Sequence, residues 1–189
     1  MGPEQRILAF GDSLFAGYNL QKSNSYPAKL EAAMRAKGIN ARVANAGVSG
    51  DTSAAGMQRF AFTLDNMAQP PELLILELGG NDLLRGISPE QTRANLRAIV
   101  EQAKARDIDV LLMGMRAPPN MGADFVAEFN DLYADLAREF GLDFIPFWVE
   151  PVADRPELIQ RDRIHPTAEG VELLVTETLD EIIAALPKD

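Results

Sequence analysis

The sequence has no cysteine and only one histidine. Without thiols there is no disulfide, no thiolate metal site and no cysteine nucleophile, and the redox compartment stays undefined. A single imidazole likewise excludes the histidine-rich zinc and di-metal sites. No stretch reaches the ~18 apolar residues that a membrane span requires. Positive charge is scarce: 18 Lys and Arg stand against 28 Asp and Glu, a formal net charge of −10. So acidic a chain repels phosphate backbones and anionic lipid, which argues against nucleic acid and membrane surfaces as partners. The opening residues, Met1-Gly2-Pro3-Glu4-Gln5-Arg6, do not resemble a signal peptide, because a strand-like run begins at Ile7. A cytoplasmic protein fits this start, and so does a periplasmic or secreted one whose leader has been removed.

What is present suits one domain over residues 1–189, with 47% hydrophobic and 24% charged residues. Apolar runs alternate with amphipathic stretches. Strands are predicted at Arg6–Phe10, Ala41–Asn45, Leu73–Leu78, Val110–Met113 and Asp143–Ile145. Two of these runs, Leu73-Leu74-Ile75-Leu76 and Val110-Leu111-Leu112-Met113, lack polar alternation, as central strands covered on both faces do. Helices are predicted at Tyr26–Lys37, with Pro27 in the first turn and Gly38 beyond the end, and at Thr52–Asn66, Ser88–Ala105 and Ala123–Phe140. The Ser88-Pro89-Glu90-Gln91 capping box opens the third, and a last helix runs from Thr167 to before Pro187. Five strand–helix alternations imply an α/β fold, a three-layer flavodoxin-like sandwich around a five-stranded parallel sheet of order 2-1-3-4-5. Ligands of such sheets bind beyond the carboxyl ends of the strands, where the order reverses.

Four segments fall there: Gly11-Asp12-Ser13-Leu14, the stretch from Asn45 to Asp51, Gly79-Gly80-Asn81-Asp82, and Asp162-Arg163-Ile164-His165-Pro166. A serine hydroxyl needs a base to become a nucleophile, and neutral imidazole suits that role. Ser13 and His165 are the available pair. A carboxylate must hold the ring in the right tautomer, and Asp162, three residues upstream, is within reach of Nδ1; Asp154 is a rival. Donors for an oxyanion are the Ser13 amide, the Gly50 amide and the Asn81 side chain. Gly47 reads as an ordinary turn glycine and Asp82 as a brace for its loop.

Gly11-Asp12-Ser13-Leu14, Gly50, Gly80-Asn81-Asp82 and Asp162-x-x-His165 together resemble the four blocks of the SGNH (GDSL) hydrolase family. Asn45 to Ser53, Leu76 to Asp82 and Arg116 to Asn120 further resemble its bacterial acyl-CoA thioesterase I, lysophospholipase and arylesterase subgroup. The likeness runs from about Ile7 to the last helix. It implies a serine esterase with Ser13 as nucleophile, Gly50 and Asn81 as oxyanion donors, and Asp162 and His165 completing the triad. No cofactor or metal is called for. Leu83 stands where glycine is expected in the best-known relatives, which alters the rim of the pocket. Relatives of this subgroup are often exported, which favours a removed leader.

For the acyl group, Leu14, Met115, Pro118 and Met121 are apolar residues near the strand ends, and Trp148 is either core or pocket wall. Arg85 and Arg116 either reach an anionic leaving group at the crevice mouth or pair with surface carboxylates. Short to medium neutral esters are the expected substrates, with acyl-CoA accepted more weakly. Two other readings are a carbohydrate-ester deacetylase with the same triad and a flavodoxin-like binding module without catalysis. The first lacks an aromatic platform. The second would need a Ser/Thr/Gly-rich phosphate cradle where this chain has Ser13-Leu14-Phe15-Ala16-Gly17-Tyr18. A Gly-x-Ser-x-Gly elbow is also missing, since Phe15 occupies its last position.

Overall fold

In a computed structural model that describes residues 2–187, the strands are β1 (Gln5–Gly11), β2 (Ala41–Gly47), β3 (Leu73–Glu77), β4 (Asp109–Met113) and β5 (Asp143–Ile145). All pairings are parallel, in the order β2-β1-β3-β4-β5. The architecture is thus the flavodoxin-like α/β sandwich expected, and every strand lies where the apolar runs put it. The period of two along β1 sorts its side chains between two cores. Ile7 and Ala9 join one core with Leu73, Ile75, Leu111 and Met113, whereas Leu8 and Phe10 join the other with Leu74, Leu76, Val110 and Leu112.

The helices are α1 (Ser13–Ala16), α2 (Tyr26–Ala36), α3 (Ser53–Asp65), α4 (Gly80–Leu84), α5 (Pro89–Lys104), α6 (Ala123–Phe140), α7 (Glu150–Ala153) and α8 (Ala168–Ala184). Leu30 and Met34 of α2 and Leu174, Val175 and Ile182 of α8 cover the first face. Phe60 of α3, Leu96 and Ile99 of α5, and Phe129 and Leu136 of α6 cover the second. Side-chain caps fix the starts: Thr52 accepts from the Ala55 amide, Ser88 from Gln91 and Thr167 from Gly170. None of the helices is long and apolar enough to cross a membrane among the described residues.

Strand register positions the site. Gly11 pairs with Gly47 on one side and with Glu77 on the other, so β1, β2 and β3 all end at one level. Their following loops therefore open onto one crevice. Arg59 of α3 ties two of these ends together, donating to the carbonyls of Gly11 (3.0 Å) and Ala46 (2.9 Å) and to Asp51 (2.6 Å). Gly47 is more than a turn residue. It is packed so closely on α1 that a Cβ would lie 2.3 Å from the Ala16 nitrogen, so only glycine fits.

Candidate active site

Ser13 is the first residue of α1, directly after β1. The Asp12 carboxylate caps this short helix by accepting from the Leu14 amide at 2.9 Å. Across the crevice, the loop before α8 carries Asp162 and His165. It is held by hydrogen bonds from the Gln160 amide to the His165 carbonyl (2.7 Å) and from the Gln160 side chain to the carbonyls of Tyr18 (3.0 Å) and Pro166 (2.9 Å). Arg163, between the two, adopts a left-handed conformation (φ 63°), an arrangement that costs energy for a residue with a Cβ.

Ser13 Oγ lies 2.8 Å from His165 Nε2, and His165 Nδ1 lies 2.6 Å from Asp162 Oδ2. The other Asp162 oxygen accepts the backbone amides of Ile164 (2.9 Å) and His165 (3.0 Å). Desolvation would raise the Asp162 pKa, but the hydrogen bonds from the His165 ring and the two amides outweigh it and pull the group down to about 2. The carboxylate is therefore ionised wherever the imidazole needs an acceptor. Asp154 makes no hydrogen bond to the ring. The phenol ring of Tyr18 leans on the imidazole with centroids 4.4 Å apart, leaving the His165 side chain 14% exposed.

Gly50 sits at the third position of the turn from Val48 to Asp51, closed by the Asp51 amide on the Val48 carbonyl at 3.2 Å. Its φ of 85° is what glycine permits there. The Ser13 and Gly50 amides have no internal acceptor among the described residues. Asn81 Nδ2 is 3.0 Å from the Asp51 carbonyl and 3.2 Å from Asp12 Oδ2, contacts that fix which way the amide faces. Asp82 braces this loop as expected. Fully buried, it accepts from the Ser53 amide (2.7 Å), the Ser53 hydroxyl and Thr92 Oγ1 (2.8 Å).

These groups line one cleft of about 440 Å³, with Leu14, Tyr18, Leu83, Leu84, Met115 and Val152 among its walls. Of the residues expected to contact substrate, Leu14, Leu83 and Met115 line this cleft. The others do not line it. Trp148 is 1% exposed in the core, edge-on to Phe15 and Tyr26. Pro118 and Met121 lie outside the cleft, because Asn130 of α6 accepts the Ala117 amide at 2.8 Å and draws the chain away. Arg116 stacks over Phe147 and faces Glu150 at 3.6 Å. Arg85 donates to the Gly50 carbonyl at 3.0 Å and so buttresses the turn instead of lining the cleft. Arg163 is the arginine that does line it. Tyr18, Val149, Val152, Ala153 and Ile159 line it too, though no sequence signal singled them out.

A hydroxyl, an imidazole and a carboxylate in hydrogen-bonded series, at the carboxyl ends of a parallel sheet, define a serine hydrolase. Residues 9–173 match the GDSL-like lipase/acylhydrolase family, and the chain belongs to it. It is 40% identical to thioesterase 1/protease 1/lysophospholipase L1 of Escherichia coli (strain K12), over 87% of this chain and 76% of that protein. It is 34% identical to an arylesterase of Vibrio mimicus, over 96% of this chain and 90% of that one. Among solved structures, AlinE4, an SGNH-hydrolase family esterase, is 59% identical, with a TM-score of 0.84 and 100% of both chains covered. The protein is thus an ester hydrolase, and the reading as a non-catalytic binding module is set aside.

Proposed function

We propose that Ser13 is the nucleophile, His165 its general base and Asp162 the group that orients the imidazole. The observation that carries this is the 2.8 Å contact between Ser13 Oγ and His165 Nε2 on the wall of an apolar cleft. Oγ attacks the ester carbonyl carbon while its proton passes to Nε2. The oxyanion so formed is received by the Ser13 and Gly50 amides and by Asn81 Nδ2. Asn81 takes part by sharing or exchanging one of its two present acceptors, of which the Asp12 contact is the longer. The tetrahedral intermediate expels the alcohol, which leaves with the proton from His165. Water, deprotonated by the same imidazole, then releases the acid and restores Ser13.

Leu83, Met115, Val149, Val152, Ile159 and Ile164 offer the acyl chain an aliphatic wall. Among the described residues, Tyr18 is the cleft's one aromatic besides the His165 ring, which disfavours a sugar platform. The substrates are therefore short to medium neutral esters, with thioesters and lysophospholipids second. Their anionic parts meet a protein of net charge −10, against which the cleft sets Arg163.

The test is a panel of p-nitrophenyl esters from acetyl to palmitoyl, plus one acyl-CoA, on the wild type and on Ser13→Ala. The variant should lose several orders of magnitude in kcat with the fold retained. An organophosphonate should modify Ser13 alone, and an adduct mapped elsewhere refutes the assignment. Raising salt should speed acyl-CoA turnover relative to a neutral ester. A selective slowing would instead make thioesters the preferred substrates.

A further inference from the structure

Two buried acidic residues meet directly beneath this site, joined where the Asp12 backbone amide donates to the Glu77 carboxyl. Glu77, the last residue of β3, is wholly buried. Its Oε2 accepts the Asp12 amide at 3.2 Å, while Oε1 has no partner among the described residues. Asp12 is 2% exposed, with Oδ1 bonded to the Leu14 amide and Oδ2 to Asn81 Nδ2. Gly11 makes room for the pair, since a Cβ there would stand 2.5 Å from Glu77 Oε2. The basic group beside them, Arg59, is spent on Asp51 and on two carbonyls. The other titratable groups beside the pair are His165, Asp51 and Tyr133, so no permanent cation among the described residues neutralises it.

Adjacent buried carboxyls without a cation do not both ionise. Donor counts locate the remaining proton. Asp12 already receives two N–H groups, as a carboxylate should, whereas Glu77 receives one and has a bare oxygen. A proton on Glu77 leaves the one negative charge on Asp12, where two N–H groups receive it. The titration directions agree: burial first, and then the neighbouring Asp12, raise Glu77 well above the usual carboxyl range. Burial also lifts Asp12, to about 6, opposed by the Leu14 amide and by the hydrogen bond from Glu77.

We infer that Glu77 is a positioning residue for the esterase reaction: held neutral, it braces the Asp12 carboxylate, which fixes the Asn81 amide with its nitrogen towards the oxyanion. A flipped amide would set Oδ1 against both the Asp12 carboxylate and the Asp51 carbonyl. This rests on the proposed role of Asn81 as an oxyanion donor. It makes kcat depend on a proton that touches neither substrate nor triad.

The experiment compares Glu77→Gln, Glu77→Leu and Ser13→Ala with the wild type, after thermal melts establish that each is folded. Glutamine keeps a neutral donor and should retain kcat within about tenfold, whereas leucine should lose a substantial part of the roughly 10²–10³ that one oxyanion donor supplies, with KM little changed. Infrared difference spectra near neutral pH should show a protonated-carboxyl C=O band in the wild type that disappears in Glu77→Gln. Absence of that band in the wild type, damage from glutamine as severe as from leucine, or wild-type kcat in Glu77→Leu would each overturn the inference. Should the leucine variant not fold, the band and the glutamine variant decide. Unchanged kcat in Asn81→Ala, or full activity in Ser13→Ala, would instead defeat the underlying reading of the site, so the two failures are distinguishable.

Discussion

Replacing Asp162 should separate catalysis from folding, because its two oxygens serve different ends. Oδ1 holds the loop through the Ile164 and His165 amides, while Oδ2 meets the imidazole at 2.6 Å. Asparagine keeps Oδ1 and therefore the loop, but it turns an NH₂ donor towards Nδ1. The ring must then present a lone pair at Nδ1 and carry its proton on Nε2, facing Ser13, where it cannot act as base. A wrong tautomer of this kind costs roughly 10⁴ in kcat in the serine-protease triad, and a loss of that order is expected here. Alanine removes all three contacts. Two backbone hydrogen bonds at about 0.5–1.5 kcal/mol each set a ceiling of about 3 kcal/mol, and solvent reaching a side chain 35% exposed brings the expected loss to about 1 kcal/mol. The freed ring can accept water at Nδ1 and regain the productive tautomer. Asp162→Asn should therefore be the more stable variant and the poorer catalyst. The stability difference between wild type and Asp162→Ala has a definite sign with pH. The folded pKa is depressed from 3.8 to about 2, so the contribution is present above the unfolded value and fades as pH falls between the two. Initial rates on p-nitrophenyl acetate and urea unfolding at neutral pH and near about pH 3 measure both effects. A Asp162→Ala enzyme slower than Asp162→Asn, or an Asp162→Asn enzyme within tenfold of wild type, would refute the tautomer argument.

Asn81→Ala should lower kcat by about 10²–10³ and leave KM nearly unchanged, since an oxyanion donor acts mainly in the transition state; steady-state kinetics on one ester decide, and a raised KM with intact kcat would make Asn81 a ground-state binder. Trp148→Ala should cost about 3–5 kcal/mol of stability in denaturant unfolding, because the ring sits in the core between Phe15 and Tyr26. Trp148→Phe should cost less, as it also removes an indole N–H with no partner among the described residues.

The sheet was legible because its signal is redundant. Unbroken apolar runs, proline and glycine punctuation and capping residues all point to the same boundaries, and α6 and β5 fall where the sequence puts them to the residue. β1 runs one residue further than its apolar stretch, to Gly11, because pairing with Gly47 and Glu77 continues past the last hydrophobic side chain. The hydrogen-bonded series Ser13–His165–Asp162 was legible for a different reason. Asp162 and His165 are near neighbours in sequence, and scarcity left no other histidine. The cleft wall was not. Val149, Val152, Ala153 and Ile159 reach it through the four-residue α7 and the 3-10 turn from Pro156 to Leu158, segments too short for periodicity to register. Trp148 was open between core and wall for the same reason. Which side it takes depends on that unforeseen turn of chain.

Residue types are legible in a way that protonation is not. Nothing in the sequence links Asp12 to Glu77, 65 positions apart. Only the register that seats Gly11 beside Glu77 brings the two carboxyls together, and only burial without a cation requires them to share a charge. The cost of burying this pair is met on the Asp12 side by N–H groups, one from the helix that begins at Ser13 and one from Asn81. Two of the three proposed oxyanion donors, the Ser13 amide and the Asn81 side chain, are thereby tied to the group that caps the helix of the proposed nucleophile. A substitution that disturbs Asp12 should therefore reach nucleophile and oxyanion hole together, which is why the positioning test is placed at Glu77, one contact further back.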